Sequence, residues 1–344
     1  MYNQEVSLMG SMKAHIVQDK SVWDKFVDDS PNGTIFHKWD LLRIVEKHSG
    51  YKLLPYGVYQ DSELISVFPV FYHKDLLLRR VTTAPPQSCI PHLGLVMQKS
   101  ASEMKLEARE KYLQKIVENL VREINKLSPN HVHIQMMPMH NEIQPFLWQD
   151  FREESFFTYF IDLERPLEDI MAGFDKDARR LIQEAGKKSL EIRQYPNVYT
   201  FYGIMQKQYA EQGLELPLIS PEYMKDLLAA FPDNLRIYSL YNGKNIVSII
   251  IVAIYHGRMT YWMGNPRLES DSSGNEYIIW KSLQRAKAEG CTEFEINGAG
   301  EPWLGLIKSR FNPRLEVSYV VSKKCGFGAR AEWAYTHFKK RIWM

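Results

Sequence analysis

Cysteine is scarce in this chain of 344 residues, which contains only Cys89, Cys291 and Cys325. Their odd number and wide spacing exclude a disulfide framework, and they form no Cys-His spacing typical of a zinc site. The net charge of +2 excludes a polycation, so contact with nucleic acid would need a local basic patch. The first residues do not show the basic and then apolar pattern of a signal peptide. We therefore expect a cytoplasmic protein in a reducing compartment.

Long hydrophobic runs are also missing. The longest, Ile246 to Tyr255, is too short for a membrane helix and is rich in β-branched residues, so it predicts a buried strand. Hydrophobic residues make up 45% of the chain, which is enough for packed cores and argues against global disorder. The length predicts one large or two medium domains.

One stretch of sequence occurs twice. Tyr56 begins YGVYQDSELISVF and Tyr238 begins YSLYNGKNIVSII, and the copies align without a gap, Ser66 with Ser248. Each copy predicts two strands joined by a tight turn, at QD in the first and at NG in the second. Asn-Gly is a strong hairpin signal because both turn residues must tolerate positive φ.

The predicted elements around the two hairpins follow the same order: strand, amphipathic helix, strand. In the first copy the helix covers about residues 101–127 and the last strand is HVHIQM, residues 131–136. In the second copy they cover about 273–289 and TEFEIN, residues 292–297. Hairpins alternate with helices in many folds, so chance similarity stays open. We interpret the repeat as an internal duplication with domains 1–164 and 165–344.

Five further segments carry information through their residue pattern and their order along the chain. They are NGTIFHKWDLLR (32–43), KDARRLIQEAGK (176–187), MTYWMGNPR (259–267), GCTEFEING (290–298) and GLIKSRFNP (305–313). In this order they resemble motifs of the tandem GNAT-fold acyltransferases. More narrowly, they resemble the FemAB-like aminoacyltransferases of peptidoglycan bridges and the related BioF2-like acetyltransferases. The match departs at Glu211, near an expected Arg, and at Ile307 in place of Phe, which leaves the acyl donor and acceptor open.

The resemblance implies an α+β fold of two GNAT-like domains in tandem. It implies an enzyme that transfers an acyl or aminoacyl group from an activated donor to an amine. The acceptor would be a small molecule or peptide bound between the domains. No tightly bound cofactor is expected, since acyl-CoA or aminoacyl-tRNA would serve as the donor substrate. Residues 1–164 would form the acceptor side, with a degenerate donor site, and residues 165–344 the donor side.

The donor loop lacks the glycine-rich turn with which an ordinary GNAT domain wraps a pyrophosphate. Residues 267–275 read RLESDSSGN, and the acidic Glu269 and Asp271 disfavour an anion at short range. Capping of the following helix and an adapted phosphate-binding turn both stay open. The loop favours aminoacyl-tRNA over a conventional CoA site without deciding between them. The candidate donor-binding residues are Ser272, Ser273, Gly274 and Asn275, together with Lys308, which occupies the position of the family's lysine.

Three residues are candidates for proton handling. Glu295 shares a strand face with Asn297, and a carboxylate in a mostly buried strand could act as a base. Glu301 follows a glycine-rich turn at the strand end, and Tyr261 lies on the strand before the donor loop. Release of the proton directly to solvent is equally consistent with the fold.

The resemblance further implies Trp39, Arg43 and Arg179 as acceptor-binding residues. His131 and His133 lie two apart on one strand without an evident third ligand, so no metal site is predicted. The basic and aromatic residues 330–344 predict either weak contact with a membrane surface or packing on the protein itself. The oligomeric state, monomer or homodimer, stays open.

Two other functions compete with the leading one. The first is a BioF2-like N-acetyltransferase that uses acyl-CoA. The second is a catalytically inactive GNAT-fold binding module, for which the first half is the better candidate. In that half Pro85 and Pro86 lie where a donor turn would be and preclude regular strand pairing.

Overall fold

A computed structural model of the chain describes residues 11–76, 78–139, 142–194, 197–211, 213–264, 274–298 and 302–325. The described residues up to Ser155 and from Ser318 onward form a first compact unit, and Phe156–Val317 form a second. The two predicted domains, 1–164 and 165–344, were defined by the repeat in the sequence, and their bounds stay a prediction.

The described strands and helices alternate along the chain. The strands are β1 (Met12–Ile16), β2 (Lys52–Gln60), β3 (Glu63–Lys74), β4 (Arg79–Thr82), β5 (Val96–Met97), β6 (His131–Gln135), β7 (Arg152–Asp162), β8 (Leu190–Gln194), β9 (Leu235–Asn242), β10 (Asn245–Tyr255), β11 (Arg258–Gly264), β12 (Glu293–Ile296) and β13 (Arg314–Lys324). The helices are α1 (Lys20–Asp29), α2 (Trp39–Ser49), α3 (Leu106–Lys126), α4 (Gln144–Leu147), α5 (Leu167–Gly173), α6 (Lys176–Gly186), α7 (Val198–Glu211), α8 (Pro221–Ala230), α9 (Gly274–Ala288) and α10 (Pro302–Ser309).

The sheets of the two units have the same plan. Strand order is β1-β2-β3-β4-β6-β13 in the first unit, with β5 beside β3, and β8-β9-β10-β11-β12-β7 in the second. Their described pairings are antiparallel except β4 with β6 and β11 with β12, which are parallel. Parallel neighbours need a crossover connection, and α3 and α9 provide it.

The last strand of each sheet comes from the other half of the chain. β7 follows β6 in sequence but pairs with β12 in the second unit. β13 follows α10, at the end of the second unit's residues, yet pairs with β6 in the first. The compact units therefore exchange their final strands, which no local sequence signal predicted.

The two repeated hairpins have the same register and the same irregularity. In each, the pairing slips by one residue at the equivalent place, and the equivalent tyrosines Tyr56 and Tyr238 are both buried in the cores of their units. These observations confirm the duplicated mixed α/β architecture. The equivalent pairs are Tyr56–Phe68 with Tyr238–Ile250, Val58–Ser66 with Leu240–Ser248, and Tyr59–Leu64 with Tyr241–Ile246.

The crossover helices pack one apolar face on each sheet. Helix α3 is shorter than the predicted 101–127, because a 3₁₀ turn at Lys99–Glu103 precedes it. Helix α9 is close to the predicted 273–289, and Gly290, at φ 82°, follows its end. The buried residues of α3 recur at helical spacing: Tyr112, Leu113, Ile116, Val117, Leu120, Val121 and Ile124.

Among the helices within the described ranges, none has the combined length and hydropathy that a membrane span requires.

Candidate active site

The parallel strands of the second unit separate at one end. Pairing between β11 and β12 runs from Arg258–Glu293 to Tyr261–Ile296 and stops there, while β11 continues to Gly264. We call this point of separation the second-unit fork. On the other side of β11, the register with β10 shifts so that Trp262 is an extra residue. Such a bulge bends the strand and increases its twist. The direction of β11 therefore changes near the point where β11 and β12 separate.

Two glycines bring the ends of the loop after β11 close to β10. Gly264 has φ 118°, and a Cβ there would lie 2.5 Å from the carbonyl oxygen of Ile249. A Cβ on Gly274, the first residue of α9, would lie 3.2 Å from the carbonyl oxygen of Val247. A larger residue at either position would push these segments apart.

A serine of the repeat attaches the start of α9 to β10. The hydroxyl Oγ of Ser248 donates to Oδ1 of Asn275 at 3.1 Å. The equivalent Ser66 donates to the carbonyl oxygen of Val96 at 2.8 Å in the first unit. The sequence alignment paired these two serines. It did not predict the hydrogen bond from Ser248 to Asn275, a candidate residue for binding the acyl donor.

Lys308 of α10 lies at the C-terminal end of β12. Its side chain donates to the carbonyl oxygens of Asn297 and Gly298, the latter at 2.6 Å, and the residue is only 6% exposed. Burial lowers the pKa of the Lys308 ammonium to about 8, and the negative charge of Glu295 opposes this by raising it. A cation that titrates near neutral pH therefore lies at the end of the strand that forms one side of the fork.

Glu295 of β12 is also buried, with 2% of its surface exposed. Its Oε1 accepts a hydrogen bond from Oγ1 of Thr158, and its Oε2 accepts one from Oγ1 of Thr260, each at 3.0 Å. The two threonines lie on β7 and β11, the strands on either side of β12. Sequence reasoning missed both, although Thr260 is the polar residue between two apolar ones in MTYWMG.

Tyr261 lies at the fork, and it and Trp262 are both buried. The bulge interrupts the alternation of faces that a regular strand would give these two neighbours. Burial raises the pKa of the Tyr261 phenol far above its usual value, and the nearby Tyr209 adds to the rise. The phenol therefore stays protonated at neutral pH and can donate a hydrogen bond.

The predicted acceptor-binding residues lie apart from this cluster in sequence and have partners of their own. Arg43, in the first unit, is exposed and forms an ion pair with Glu46 at 2.6 Å. The ring of Trp39 packs edge-on against Trp23, with centroids 6.0 Å apart. Arg179, in the second unit, donates to the carbonyl oxygens of Ala172 at 2.8 Å and Phe174 at 2.5 Å, at the end of α5.

Three predicted site residues, Ser272, Ser273 and Glu301, lie outside the described residues. The choice between helix capping and phosphate binding in the donor loop thus stays a prediction. Over the ranges that the structure describes, no group of three or more His, Cys, Asp or Glu residues is placed to hold a metal ion.

The corresponding strands of the first unit also separate, after Thr82 and His133, and we call this the first-unit fork. Backbone N–H of Thr83 donates to the carbonyl oxygen of His133 at 3.1 Å, and Oγ1 of Thr83 accepts from the N–H of Gln135 at 2.8 Å. The amide of Gln135 also donates to the carbonyl oxygen of Pro91. The chain after β4 therefore bridges the first-unit fork with its own groups.

The chain that follows β4 is largely buried. Its segment from Thr83 to Leu95 includes Ser88, Ile90 and Leu93, all buried. In chain order this segment corresponds to the link between β11 and α9 in the second unit.

A known family of proteins is similar to the part of the chain that contains the second-unit fork. Residues 174–303 match the family model described as an acetyltransferase (GNAT) domain. This part of the chain is therefore similar to GNAT acetyltransferase domains, and it contains the second-unit fork. No curated protein matches the chain by sequence.

Several solved structures share the fold over most of their length. The crystal structure of FemX has a TM-score of 0.67 at 10% identity and covers 89% of this chain and 96% of its own. A tandem GNAT protein from the clavulanic acid biosynthesis pathway gives 0.55 at 9% identity, with 92% and 98% covered. L-PGS from Bacillus licheniformis gives 0.56 at 10% identity, with 90% and 93% covered.

These likenesses confirm the predicted tandem GNAT fold and its resemblance to FemAB-like proteins. Together with the family match, they confirm that the chain has the architecture of a GNAT-type acyltransferase.

Proposed function

We propose that this protein is an acyltransferase or aminoacyltransferase whose single donor site is the second-unit fork. An activated acyl group would bind with its carbonyl at the end of β11, and an amine would attack it. A C–N bond forms as the C–S bond of a thioester or the C–O bond of an ester breaks. The leaving thiol or hydroxyl carries a proton away, and the attacking amine loses one.

The observation that carries this proposal is the difference between the two forks. The first-unit fork is bridged by Thr83 and Gln135, whereas β11 continues beyond its last pair with β12 as far as Gly264. Backbone N–H groups beyond the end of a ladder are suitable donors to the oxyanion of a tetrahedral intermediate. This supports a donor site in the second unit and a degenerate one in the first.

Lys308 is the proposed cation of the donor site. Its ammonium, held by the carbonyl oxygens of Asn297 and Gly298, lies at the end of β12 with its position fixed by those bonds. A preorganised cation in a place shielded from water stabilises developing negative charge or a donor phosphate without further reorganisation. Gly274 and Asn275, at the N-terminus of α9, are proposed to contact the donor as well.

Tyr261 is proposed as a hydrogen-bond donor to the leaving group, because its phenol stays protonated. Glu301 and direct release to solvent stay the proposed routes for the amine proton. Trp39, Arg43 and Arg179 remain the proposed acceptor-binding residues, and a small molecule or peptide amine the proposed acceptor.

The donor is proposed to be aminoacyl-tRNA, with acyl-CoA as the second candidate. The acidic residues Glu269 and Asp271 of the donor loop support the first, because they disfavour a pyrophosphate at short range. The match of residues 174–303 to an acetyltransferase domain supports the second.

Donor consumption and melting temperature distinguish the two. The purified chain is incubated with acetyl-CoA or with mixed aminoacyl-tRNA, and free CoA and uncharged tRNA are the controls. A ligand that binds only the folded chain raises the melting temperature, and tRNA binding should weaken steeply with salt. Stabilisation by CoA species alone would overturn the tRNA proposal. The absence of consumption and stabilisation with both donors would overturn the donor site itself.

A further inference from the structure

Arg310 follows helix α10 and lies where three helices of the second unit meet. Its carbonyl oxygen accepts a hydrogen bond from the backbone N–H of Asp175 at 2.8 Å. Asp175 is the N-cap of α6, and its carboxylate accepts a hydrogen bond from the N–H of Ala178 at 2.6 Å. The end of α10 is therefore joined to the start of α6 through the backbone of Arg310.

The guanidinium of Arg310 forms an ion pair with a carboxylate at the start of each of the other two helices. Its Nε lies 3.9 Å from Oδ2 of Asp175, and its Nη1 lies 3.8 Å from Oε1 of Glu276. The first carboxylate caps α6, and the second belongs to the first turn of α9. One side chain thus links the end of α10 to the starts of α6 and α9. We call this set of three charged residues the helix junction.

Glu276 makes the helix junction more than a contact between exposed side chains. The side chain of Glu276 has only 7% of its surface exposed, whereas those of Arg310 and Asp175 are exposed in part. Burying a carboxylate is costly unless opposite charge and hydrogen bonds compensate it. The guanidinium of Arg310 therefore helps to keep the carboxylate of Glu276 buried, and with it the first turn of α9 in place.

Three aromatic residues pack next to these charged residues along the chain. The ring of Phe174 lies edge-on to those of Phe311 and Trp280, with centroids 5.1 Å and 5.7 Å apart. Phe174 directly precedes Asp175, Phe311 directly follows Arg310, and Trp280 belongs to α9. All three aromatic residues are buried. The apolar packing keeps the end of α10 close to α9, so the ion pairs of Arg310 act between segments that are already in contact.

The two segments that Arg310 links carry proposed donor-binding residues. Asn275 directly precedes Glu276, and Lys308 lies two residues before Arg310. Each of the two has its own bond to the sheet: Asn275 accepts from Ser248 of β10, and Lys308 donates to carbonyl oxygens that follow β12. Neither of these bonds joins α9 to α10. The ion pair between Arg310 and Glu276 does.

We propose that Arg310 is a positioning residue of the second-unit fork: its ion pairs with Glu276 and Asp175 set the start of α9 relative to Lys308. The proposal rests on the proposed donor site and deepens it, because it adds a residue that acts through its neighbours. Loss of the ion pairs would loosen the donor-binding segments and leave the groups that take part in the transfer in place. Donor binding should therefore weaken more than the transfer step slows.

Arg310→Gln is the test, because it removes the charge and keeps a polar side chain. The first measurement is amide hydrogen exchange followed by NMR, which needs no donor. The N–H groups of Ile278 and Ile279 bond to carbonyls of the first turn of α9, and we expect their exchange to become about threefold to tenfold faster. This is the range that one or two partly exposed ion pairs can supply. Exchange at Ala286, near the other end of α9, should not change.

Arg314→Gln is the matched control. Arg314 also pairs with two carboxylates of the second unit, Glu293 at 3.5 Å and Glu316 at 2.6 Å. These carboxylates belong to β12 and β13 and not to a helix of the junction. Arg314→Gln should therefore leave both the exchange of α9 and the donor KM as they are in the wild type.

The second measurement is steady-state kinetics with the donor that the wild type consumes. In Arg310→Gln the donor KM should rise about threefold to tenfold with kcat within about twofold, as expected when binding common to the ground state and the transition state is lost. Arg310→Lys keeps the charge and should recover most of this loss. Glu276→Gln combined with Arg310→Gln should raise the KM by less than the product of the two single effects, since both act through one ion pair.

Three outcomes would overturn the proposal. Unchanged exchange of Ile278 and Ile279 in Arg310→Gln would show that the start of α9 does not depend on Arg310. Faster exchange with an unchanged donor KM would make the helix junction purely structural. A lower kcat at unchanged KM would assign Arg310 to the transfer step.

Two further results are separated by the design of the experiment. If the wild type consumes no donor, the proposed function fails, and faster exchange in Arg310→Gln would still support the role of Arg310 in setting the start of α9. If Arg310→Gln does not fold, the same two measurements on Glu276→Gln decide. Exchange and donor KM equal to those of the wild type in Glu276→Gln would then contradict the proposal.

Discussion

The first-unit fork and the second-unit fork start from the same strand pattern but differ in the contacts that the described residues make around them. In both, a parallel strand pair separates after a few residues and a long helix connects the strands. In the first, Thr83 and Gln135 bridge the strands and an apolar segment with Leu93 is buried there. In the second, β11 continues past its last pair with β12, and a buried lysine lies at the end of β12. This difference supports the proposal that the donor site lies in the second unit.

Lys308→Met should have the largest effect, because it removes the cation of the second-unit fork. Loss of one preorganised electrostatic donor typically slows turnover about 10²- to 10³-fold. Lys207→Met, at an exposed lysine of the same unit, should leave turnover unchanged. Donor turnover of the two variants checks this, and equal turnover in both would remove the functional distinction between the forks.

Lys308→Met should also change how the free energy of unfolding depends on pH. The Lys308 ammonium titrates at about 8 in the folded chain, below its ordinary value of 10.5. The unfolded chain then binds more protons between these two values, so the wild type gains stability relative to Lys308→Met as the pH rises through them. Denaturant midpoints at pH 7 and pH 10 test this sign.

Leu93→Ala addresses the first-unit fork and should be the most destabilising of these changes. Leu93 is fully buried, and truncating a buried leucine costs about 2 to 5 kcal/mol of unfolding free energy. Turnover per folded molecule and the donor KM should not change if, as proposed, the donor binds only at the second-unit fork. Urea unfolding and steady-state kinetics measure both. A change in donor KM would show that the first-unit fork contributes to the site.

The paired serines give the smallest and sharpest comparison. Ser66→Ala and Ser248→Ala each remove one buried hydroxyl and should each cost about 1 kcal/mol of unfolding free energy. Only Ser248→Ala should also raise the donor KM, because Ser248 orders Asn275 at the start of α9. Equal kinetics for the two variants would contradict the assignment of Asn275 to the donor site.

Much of the fold was readable from local patterns. Both hairpins lie where they were predicted, but each two-residue turn begins one residue later than predicted, at Asp61 and at Gly243, because the preceding residue still pairs in the ladder. Asp61 and Gly243 take positive φ. The two helices that follow lie within a few residues of the predicted ranges. The site was predicted less completely. Lys308 and Glu295 were named as separate candidates, and the electrostatic interaction between them was not predicted. Thr158 and Thr260, which donate hydrogen bonds to Glu295, were not predicted as site residues, because a threonine in a strand is ordinary.

The repeat, the approximate positions of both hairpins and the crossover helices follow from the order of residues alone, since they depend on periods of two and 3.6 and on turn chemistry within a few positions. The exchange of β7 and β13, the closure of the first-unit fork and the charge state of Lys308 depend on which distant segments pack together. Burial and electrostatic coupling arise from neighbours far apart in the chain, such as Thr158 and Glu295, so only the folded chain could decide them.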